Sequence, residues 1–440
     1  MGAGRGGGDS PDSAPESAPV AVTQGRCHIV GAGLGGLACA VGLAAQGRPV
    51  SLYDAAGQAG GRCRSLFDQG LGRPIDNGNH LLLSANRATL GFLDTVGAGD
   101  SLVGPPEAAF PFLDLRSGER WTLRPNNGPL PWWILVSGRR VPGSRLGDYL
   151  SGLAILCAKE RDTVTDRIAA EGPLWERFWE PLTVAALNTA PEEASARLLR
   201  AVVMETFARG AAACRPLIAK EGLSDSFVEP ALAYLRARGA EILFNWRLRA
   251  LEDDGARITA LDFGAERRTL GPSESLVLAL PAPGAKAILP ELEAPLDTRP
   301  IVNGHIRLPR PVSLPEAGPV LGLIGGTAQW LFLRGDVASL TVSAAEELAG
   351  LPNETVAARL WQDTAKALGL DPAEMPPIRI IKEKRATFAQ TPEAVAHRPG
   401  PGTRWRNAFL AGDWTDTGFP ATIEGAIRSG QAAAKKLANH

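Results

Sequence analysis

The sequence is poor in the residues that would tie it to disulfides, metals or nucleic acid. Its five cysteines, Cys27, Cys39, Cys63, Cys157 and Cys214, show no CxxC or CxxxC spacing. An odd, dispersed set reads as free thiols in a reducing compartment, and no redox-active disulfide or metal-ligand cluster is legible. Acidic and basic residues nearly balance, for a formal net charge of −1, and no long basic run occurs. Phosphate binding needs a concentrated Lys/Arg footprint, so a nucleic-acid partner is not expected. No run of about 18 uninterrupted apolar residues exists, and so no spanning helix is expected. The richest stretch, 320–333, is broken by Gly322, Gly325, Gly326, Thr327 and Gln329, and reads as buried strands around a turn. Residues 1–25 are rich in Gly, Ser, Pro and Ala, without the apolar core of a signal peptide or a twin-arginine pair. They read as a disordered leader, and the expected location is the cytoplasm.

What is present is a dinucleotide-binding opening. Cys27-His28-Ile29-Val30 is a short strand that runs into Gly31-Ala32-Gly33-Leu34-Gly35-Gly36. An Ala- and Leu-rich helix follows over Leu37–Gln46, and a second strand, Pro49–Asp54, closes on an acid. In this G-x-G-x-x-G pattern Gly31 permits the tight turn, and Gly33 lets the backbone approach a pyrophosphate. Gly36 lets helix and strand pack closely. The helix N-terminus then offers free N–H groups and a favourable dipole to phosphates. Asp54, about 20 residues on, is placed to accept hydrogen bonds from ribose hydroxyls. Chance glycines do not bring a strand, a helix and a terminal acid with them.

Two further elements separate FAD from NAD. Gly60-Gly61-Arg62-Cys63-Arg64-Ser65 resembles the glycine–glycine–arginine element of the amine-oxidase and phytoene-desaturase flavoproteins. The resemblance implies that Gly61 brings backbone against the cofactor and that Arg62 lies by the pyrophosphate and flavin. Near the other end, Phe409-Leu410-Ala411-Gly412-Asp413-Trp414 precedes Gly418-Phe419-Pro420-Ala421-Thr422-Ile423-Glu424. In that family such a strand delivers an acid, here Asp413 after Gly412, to the ribityl chain. The following helix, starting at Thr422 and Ile423, points at the flavin's pyrimidine side, where negative charge gathers on reduction. Asn245–Leu251 resembles the strand whose backbone contacts adenine, with Leu248 at the contact; a plain buried leucine reads almost as well. The implied fold class is α/β: a Rossmann-type FAD-binding domain, glutathione-reductase and amine-oxidase-like, with an inserted α+β substrate domain. The expected FAD-binding domain comprises 26–100, 225–290 and 400–440, and the substrate domain 101–224 and 291–399.

Three narrower blocks resemble one branch, the hydroxysqualene dehydroxylases of bacterial hopanoid synthesis. They are Asp76-Asn77-Gly78-Asn79-His80-Leu81-Leu82-Leu83, Ala186–Thr189 with Pro191–Ser195, and Lys384–Phe388 with Thr391–Glu393. Asn79 departs from the branch pattern, which has Gln before the histidine. Asn77 and Gly78 are carried over as flavin neighbours. The resemblance implies reductive removal of the hydroxyl of hydroxysqualene by reduced FAD. Protonated hydroxyl leaves as water, and flavin N5–H delivers hydride to the allylic cation, which requires water exclusion and an acid.

His80 and Asp76 are the candidate acids, each with a structural alternative: a backbone-bonded histidine, and a cap on the Asn77-Gly78 turn. Lys382 and Lys384 do not match the lysine that amine oxidases hold over the flavin. Trp175, Phe178, Trp179, Leu182 and Phe207 read as tunnel lining or as simple core. Pro131-Trp132-Trp133-Ile134-Leu135-Val136, flanked by Arg124 and Arg139-Arg140, reads as a peripheral contact on the inner face of the cytoplasmic membrane, or as a buried strand or subunit interface. Rival functions are a carotenoid-type desaturase running the flavin in the opposite direction, an amine oxidase and a non-catalytic flavin or lipid binder. Only three tyrosines are available for an amine oxidase's aromatic cage. The electron donor is unidentified, because there is one dinucleotide fingerprint.

Overall fold

A computed structural model describes residues 25–314 and 318–438. The expected leader therefore lies, apart from Gly25, outside the described residues. Strand Cys27–Val30, fully buried, is the centre of a five-stranded parallel sheet. Val50–Asp54 and Ser275–Leu278 flank it, and Glu241–Phe244 and Ala408–Leu410 form the edges. Strands covered on both faces read as continuous apolar runs, which is why Ser275–Leu278 is legible in the sequence. The register pairs Val30 with both Tyr53 and Leu278, Asp54 with Phe244, and Leu278 with Leu410. Gly31, Asp54, Ala279 and Ala411 thus leave the sheet along one carboxyl edge, where ligands of open parallel sheets bind.

The first helix spans Leu34–Ala45, three residues earlier than expected, because Leu37 N–H already donates to the Gly33 carbonyl (2.9 Å). The last helix, Ile423–Ala438, lies directly on it. The second large sheet has seven strands in the order Ile378–Phe388, Thr298–Arg307, Val337–Val342, Trp330–Arg334, Val320–Ile324, Phe110–Asp114 and Arg120–Leu123. All its pairings are antiparallel except Val320–Ile324 with Phe110–Asp114. Helix Asn353–Leu368 covers one face with Val356, Leu360 and Trp361.

Proline shapes the helical region between the sheets. Pro181 and Pro230 lack the N–H that would bond one turn back, and in each case the preceding turn, Trp175–Trp179 or Ser224–Val228, widens to π geometry. Helix Leu146–Gly152 tightens to a 3-10 turn over Leu153–Cys157. Another correction concerns Leu248. Its segment is not a strand until Ala250, because Asn245 adopts φ +63° and Asn245 and Trp246 donate backwards to Ala56 and Asp54 carbonyls. Leu248 is buried beside that turn.

Candidate functional site

At the carboxyl edge, the glycine loop forms a backbone cradle. Gly31 turns the chain at φ +110°, and a Cβ there would stand 2.3 Å from the Ala279 carbonyl oxygen. Gly33 is the opposite case: a Cβ would meet no protein atom within 4 Å, so the loop's outer side is open. The helix behind it carries no side-chain cap and no acid in its first turn, leaving its N-terminal donors for a ligand. Gly60 N–H donates to the Ala32 carbonyl (2.8 Å), which docks the second glycine pair against the first, with Gly61 beside Gly33. Gly36 fits only without a side chain, since its Cβ would lie 1.9 Å from Gly31 O, and Gly35 backs onto Gly412. Asp54 accepts from Ala32 N–H (2.7 Å) and Ala56 N–H (2.8 Å), one bond on each carboxylate oxygen. Each oxygen keeps a second acceptor site, so the acid both shapes the loop and can meet a ribose hydroxyl. An open cradle with uncapped donors and an acid at its rim fits the dinucleotide part of FAD.

The two distant cofactor elements are joined by a charge pair. Arg62 Nη2 donates to Asp413 Oδ1 (2.8 Å) and Nη1 donates to the Ala386 carbonyl. The Asp413 pair raises Arg62 above the usual guanidinium range against the opposing effect of burial. Arg398, which sequence reasoning missed, clamps the turn after Asp413 from inside. It donates to the carbonyls of Asp413 (3.1 Å), Trp414 (3.4 Å), Thr415 (2.5 Å) and Phe419 (2.8 Å). Burial pushes its guanidinium down to about 10. Thr422 caps the last helix by accepting from Gly425 N–H (3.1 Å), while Ile423 is buried. Glu424 turns away and caps helix Arg87–Thr95, accepting from Ala88 and Thr89.

The segment carrying His80 crosses the seven-stranded sheet on a bed of polar side chains. Asp76 is 2% exposed; it accepts from Ser65 Oγ (2.6 Å), Leu223 N–H (2.9 Å) and Arg334 Nη2 (2.6 Å). Asn77 Nδ2 reaches Glu383 Oε2 (3.3 Å), Asn303 Nδ2 reaches the Asn77 carbonyl (3.4 Å), and Asn79 Nδ2 bonds Thr341 Oγ1 (3.0 Å). Gly78 approaches Asn303 closely: a Cβ there would stand 3.3 Å from its amide nitrogen, a tight contact. His305 lies beneath, bonded to Ser339 Oγ (2.8 Å), and burial pushes its imidazole down to about 4. His80 is half-buried but closely surrounded, and loss of hydration also brings it down to about 4, against the pull of Asp76. It is neutral at physiological pH, an N–H donor and not a charged acid.

The second and third narrower blocks meet, and the first reaches the residue just before the third through Asn77 and Glu383. Asn188 Nδ2 donates to Thr387 Oγ1 (3.0 Å) and Arg299 O (3.2 Å), and its Oδ1 accepts from Ala344 N–H (2.7 Å). Gln390 ties the second and third blocks to the last helix, donating to Leu187 O (2.6 Å) and accepting from Ala421 N–H (2.8 Å). Lys382 is spent on the Leu351 carbonyl and Lys384 is exposed. Trp175, Phe178 and Trp179 are buried, Leu182 and Phe207 half-buried, and Phe178 stacks edge-on against Trp179 and Phe207. Of the tryptophan pair, Trp133 is buried and Trp132 is 52% exposed, so Trp133 cannot touch a membrane in this arrangement. The one available signal for Asn303 and His305 was two polar residues two apart in an otherwise apolar strand.

Residues 34–438 match the family described as flavin containing amine oxidoreductase. A hydroxysqualene dehydroxylase of Rhodopseudomonas palustris is 48% identical, covering 92% of this chain and 97% of its own. One of Zymomonas mobilis is 42% identical, covering 94% and 99%. A zeta-carotene desaturase of Synechocystis is 25% identical over 94% of this chain and 97% of its own. Among solved structures, cyclohexylamine oxidase from Brevibacterium oxydans superposes with a TM-score of 0.67 at 18% identity, covering 94% of this chain and 99% of that one.

Proposed function

The chain belongs to the flavin-containing amine oxidoreductase family, and on that premise we propose that it removes the hydroxyl of hydroxysqualene to give squalene. It is an FAD-dependent oxidoreductase. The observation that carries the substrate is identity of 42–48% across almost the whole chain to hydroxysqualene dehydroxylases, against 25% to a carotene desaturase. FAD, bound on the cradle and reduced, supplies the hydride.

The chain's own residues do the rest. Gly31 to Gly36, Gly61, Arg62, Asp54 and Asp413 hold and orient the dinucleotide, and Gly412, Thr422 and Ile423 shape the turn and helix start beside it. Asn77 and Gly78 would hold the ring from the floor's side, and Leu248 would line the adenine end. His80, neutral at rest, relays a proton. It gives up its N–H proton to the carbinol oxygen as the C–O bond breaks while its other ring nitrogen takes one from solvent, so that the hydroxyl leaves as water. Asp76 acts through it as a positioning residue: both carboxylate oxygens are occupied by donors, which fixes the segment. The apolar walls keep out water that would recapture the allylic cation and remake the alcohol. Reducing equivalents come from a separate donor, and a lipid substrate implies a peripheral contact with a membrane surface near Trp132.

Photoreduced holoenzyme mixed anaerobically with 12-hydroxysqualene tests the reaction. Flavin reoxidation with squalene in proportion is expected. Flavin that stays reduced with the alcohol intact would overturn the proposal and point to oxidised enzyme acting on polyene precursors.

A further inference from the structure

Eight of the thirteen large apolar side chains exposed on the described surface fall between residues 130 and 156. They are Leu130, Trp132, Leu135, Val136, Leu146, Leu150, Leu153 and Leu156, at 37–66% exposure. Leu146, Leu150 and Leu153 follow at i, i+4 and i+7 along helix Leu146–Gly152 and its 3-10 extension, so they share one face. Scattered exposed leucines need no explanation, but a contiguous apolar face of this kind marks an interaction surface. Around it stand Arg124, Arg139 and Arg140, none ion-paired among the described residues; their side chains reach only backbone carbonyls or solvent.

The surface is rooted in aromatic packing that leads inward. Buried Trp133 meets Tyr149 edge-on (5.4 Å), and Gly152 lies against Trp179, where a Cβ would come within 2.4 Å of the ring. Trp179 packs on Phe178, Phe178 on Phe207, and Phe207 on Phe110. Phe110 lines an apolar pocket with Ile218 and Trp330, and Leu81, next to His80, packs on the same small cluster that Trp330 joins, Ile218 with Val320 and Phe332.

We propose that residues 130–156 insert into an anionic phospholipid bilayer, and that the aromatic seam beneath them is the route by which an isoprenoid chain reaches His80. The bilayer is favoured over a second copy of the chain by charge. A two-fold pairing of this face would set its unpaired arginines against each other, whereas anionic headgroups neutralise them. The route rests on the function proposed above; the bilayer contact does not.

The test is flotation of full-length holoenzyme with vesicles of phosphatidylcholine alone or with one quarter phosphatidylglycerol. The parent is expected to float with the anionic vesicles and to be released by salt. Leu150→Glu/Leu153→Glu should lose at least about tenfold in binding, since two leucines leave the apolar layer. Arg124→Glu/Arg139→Glu should lose the preference for phosphatidylglycerol. Leu296→Glu, at another exposed leucine, should bind as the parent does. Unchanged flavin absorbance and melting temperature show that each variant folds. Equal flotation of parent and Leu150→Glu/Leu153→Glu overturns the contact, as does a dimer that this variant splits while vesicle binding persists. Turnover separates the two proposals. The leucine variant should fail on vesicle-borne alcohol yet match the parent on detergent-dispersed alcohol. Equal turnover of both on vesicles overturns the route, and a parent inactive on dispersed alcohol, while it still floats, overturns the function and with it the route.

Discussion

The cofactor cradle and the floor under His80 are both polar, but they are assembled by opposite means. In the cradle the decisive contacts are backbone geometry over short spans: Asp54 reaches Ala32 across 22 residues. In the floor most contacts join residues far apart in sequence, several of them side chain to side chain. Asp76 and Arg334 are 258 residues apart, Asn79 and Thr341 262, and Asn77 and Glu383 306. The difference separates two tasks. Holding a dinucleotide needs a local grammar of glycines and helix ends, while choosing a reaction needs side chains that only the finished fold brings together.

Breaking the cradle should have the largest effect. Gly31→Val forces a branched side chain onto φ +110° and into the Ala279 carbonyl, and the purified protein should retain no flavin by its visible spectrum. Breaking the floor should instead spare the cofactor. Asp76→Asn removes one charge from its pair with Arg334, at a cost of about 2–4 kcal/mol because Arg334 still reaches solvent. Urea denaturation should show that loss, and kcat should fall, while flavin remains near one per chain.

A smaller effect follows from His305. Its native imidazole titrates at about 4 and the unfolded one near 6.5, so both states are neutral above about pH 6.5 and no penalty applies there. Between about 6.5 and 4 only the unfolded chain takes up the proton, and stability falls by up to about 1.4 kcal/mol per pH unit; below that range the penalty is constant. Urea midpoints at pH 7, 6 and 5 should show a slope to which His305 and His80 both contribute, and His305→Gln should reduce it by about half. Least of all, Asn79→Ala deletes the bond to Thr341 and should cost about 1 kcal/mol in the same assay.

The cradle was legible because each of its residues obeys a local rule: Gly31 a turn, Gly33 an open approach, Asp54 a strand end. Even there the helix start was read three residues late, since Gly35 and Gly36 are poor helix formers and mask an N-terminus that the ligand site needs. The floor was half legible. The block from Asp76 to His80 stood out, but Arg334 did not, because nothing near it in sequence hints at a partner 258 residues away, and Asn303 and His305 left only a faint signal. Asp76 illustrates the limit: sequence offered it as an acid or as a cap on the Asn77-Gly78 turn, and could not foresee its donors on Ser65, Leu223 and Arg334. Trp132 and Trp133 show another. A 3-10 turn sends successive residues to different faces, and composition cannot say which one goes inward.

The pairing of Arg62 with Asp413 spans 351 residues, and the sheet strand just before Asp413 is also the last to be made. At roughly 5–20 residues per second, about 20–70 seconds of synthesis separate the two partners. For the last part of that interval, from the making of Ser275–Leu278 to that of Ala408–Leu410, the sheet presents an unpaired edge and Asp413 does not yet exist. The nascent chain must therefore be kept from edge-to-edge aggregation until Ala408–Leu410 is made, and the cell's free flavin pool meets both partners of the pair only after that.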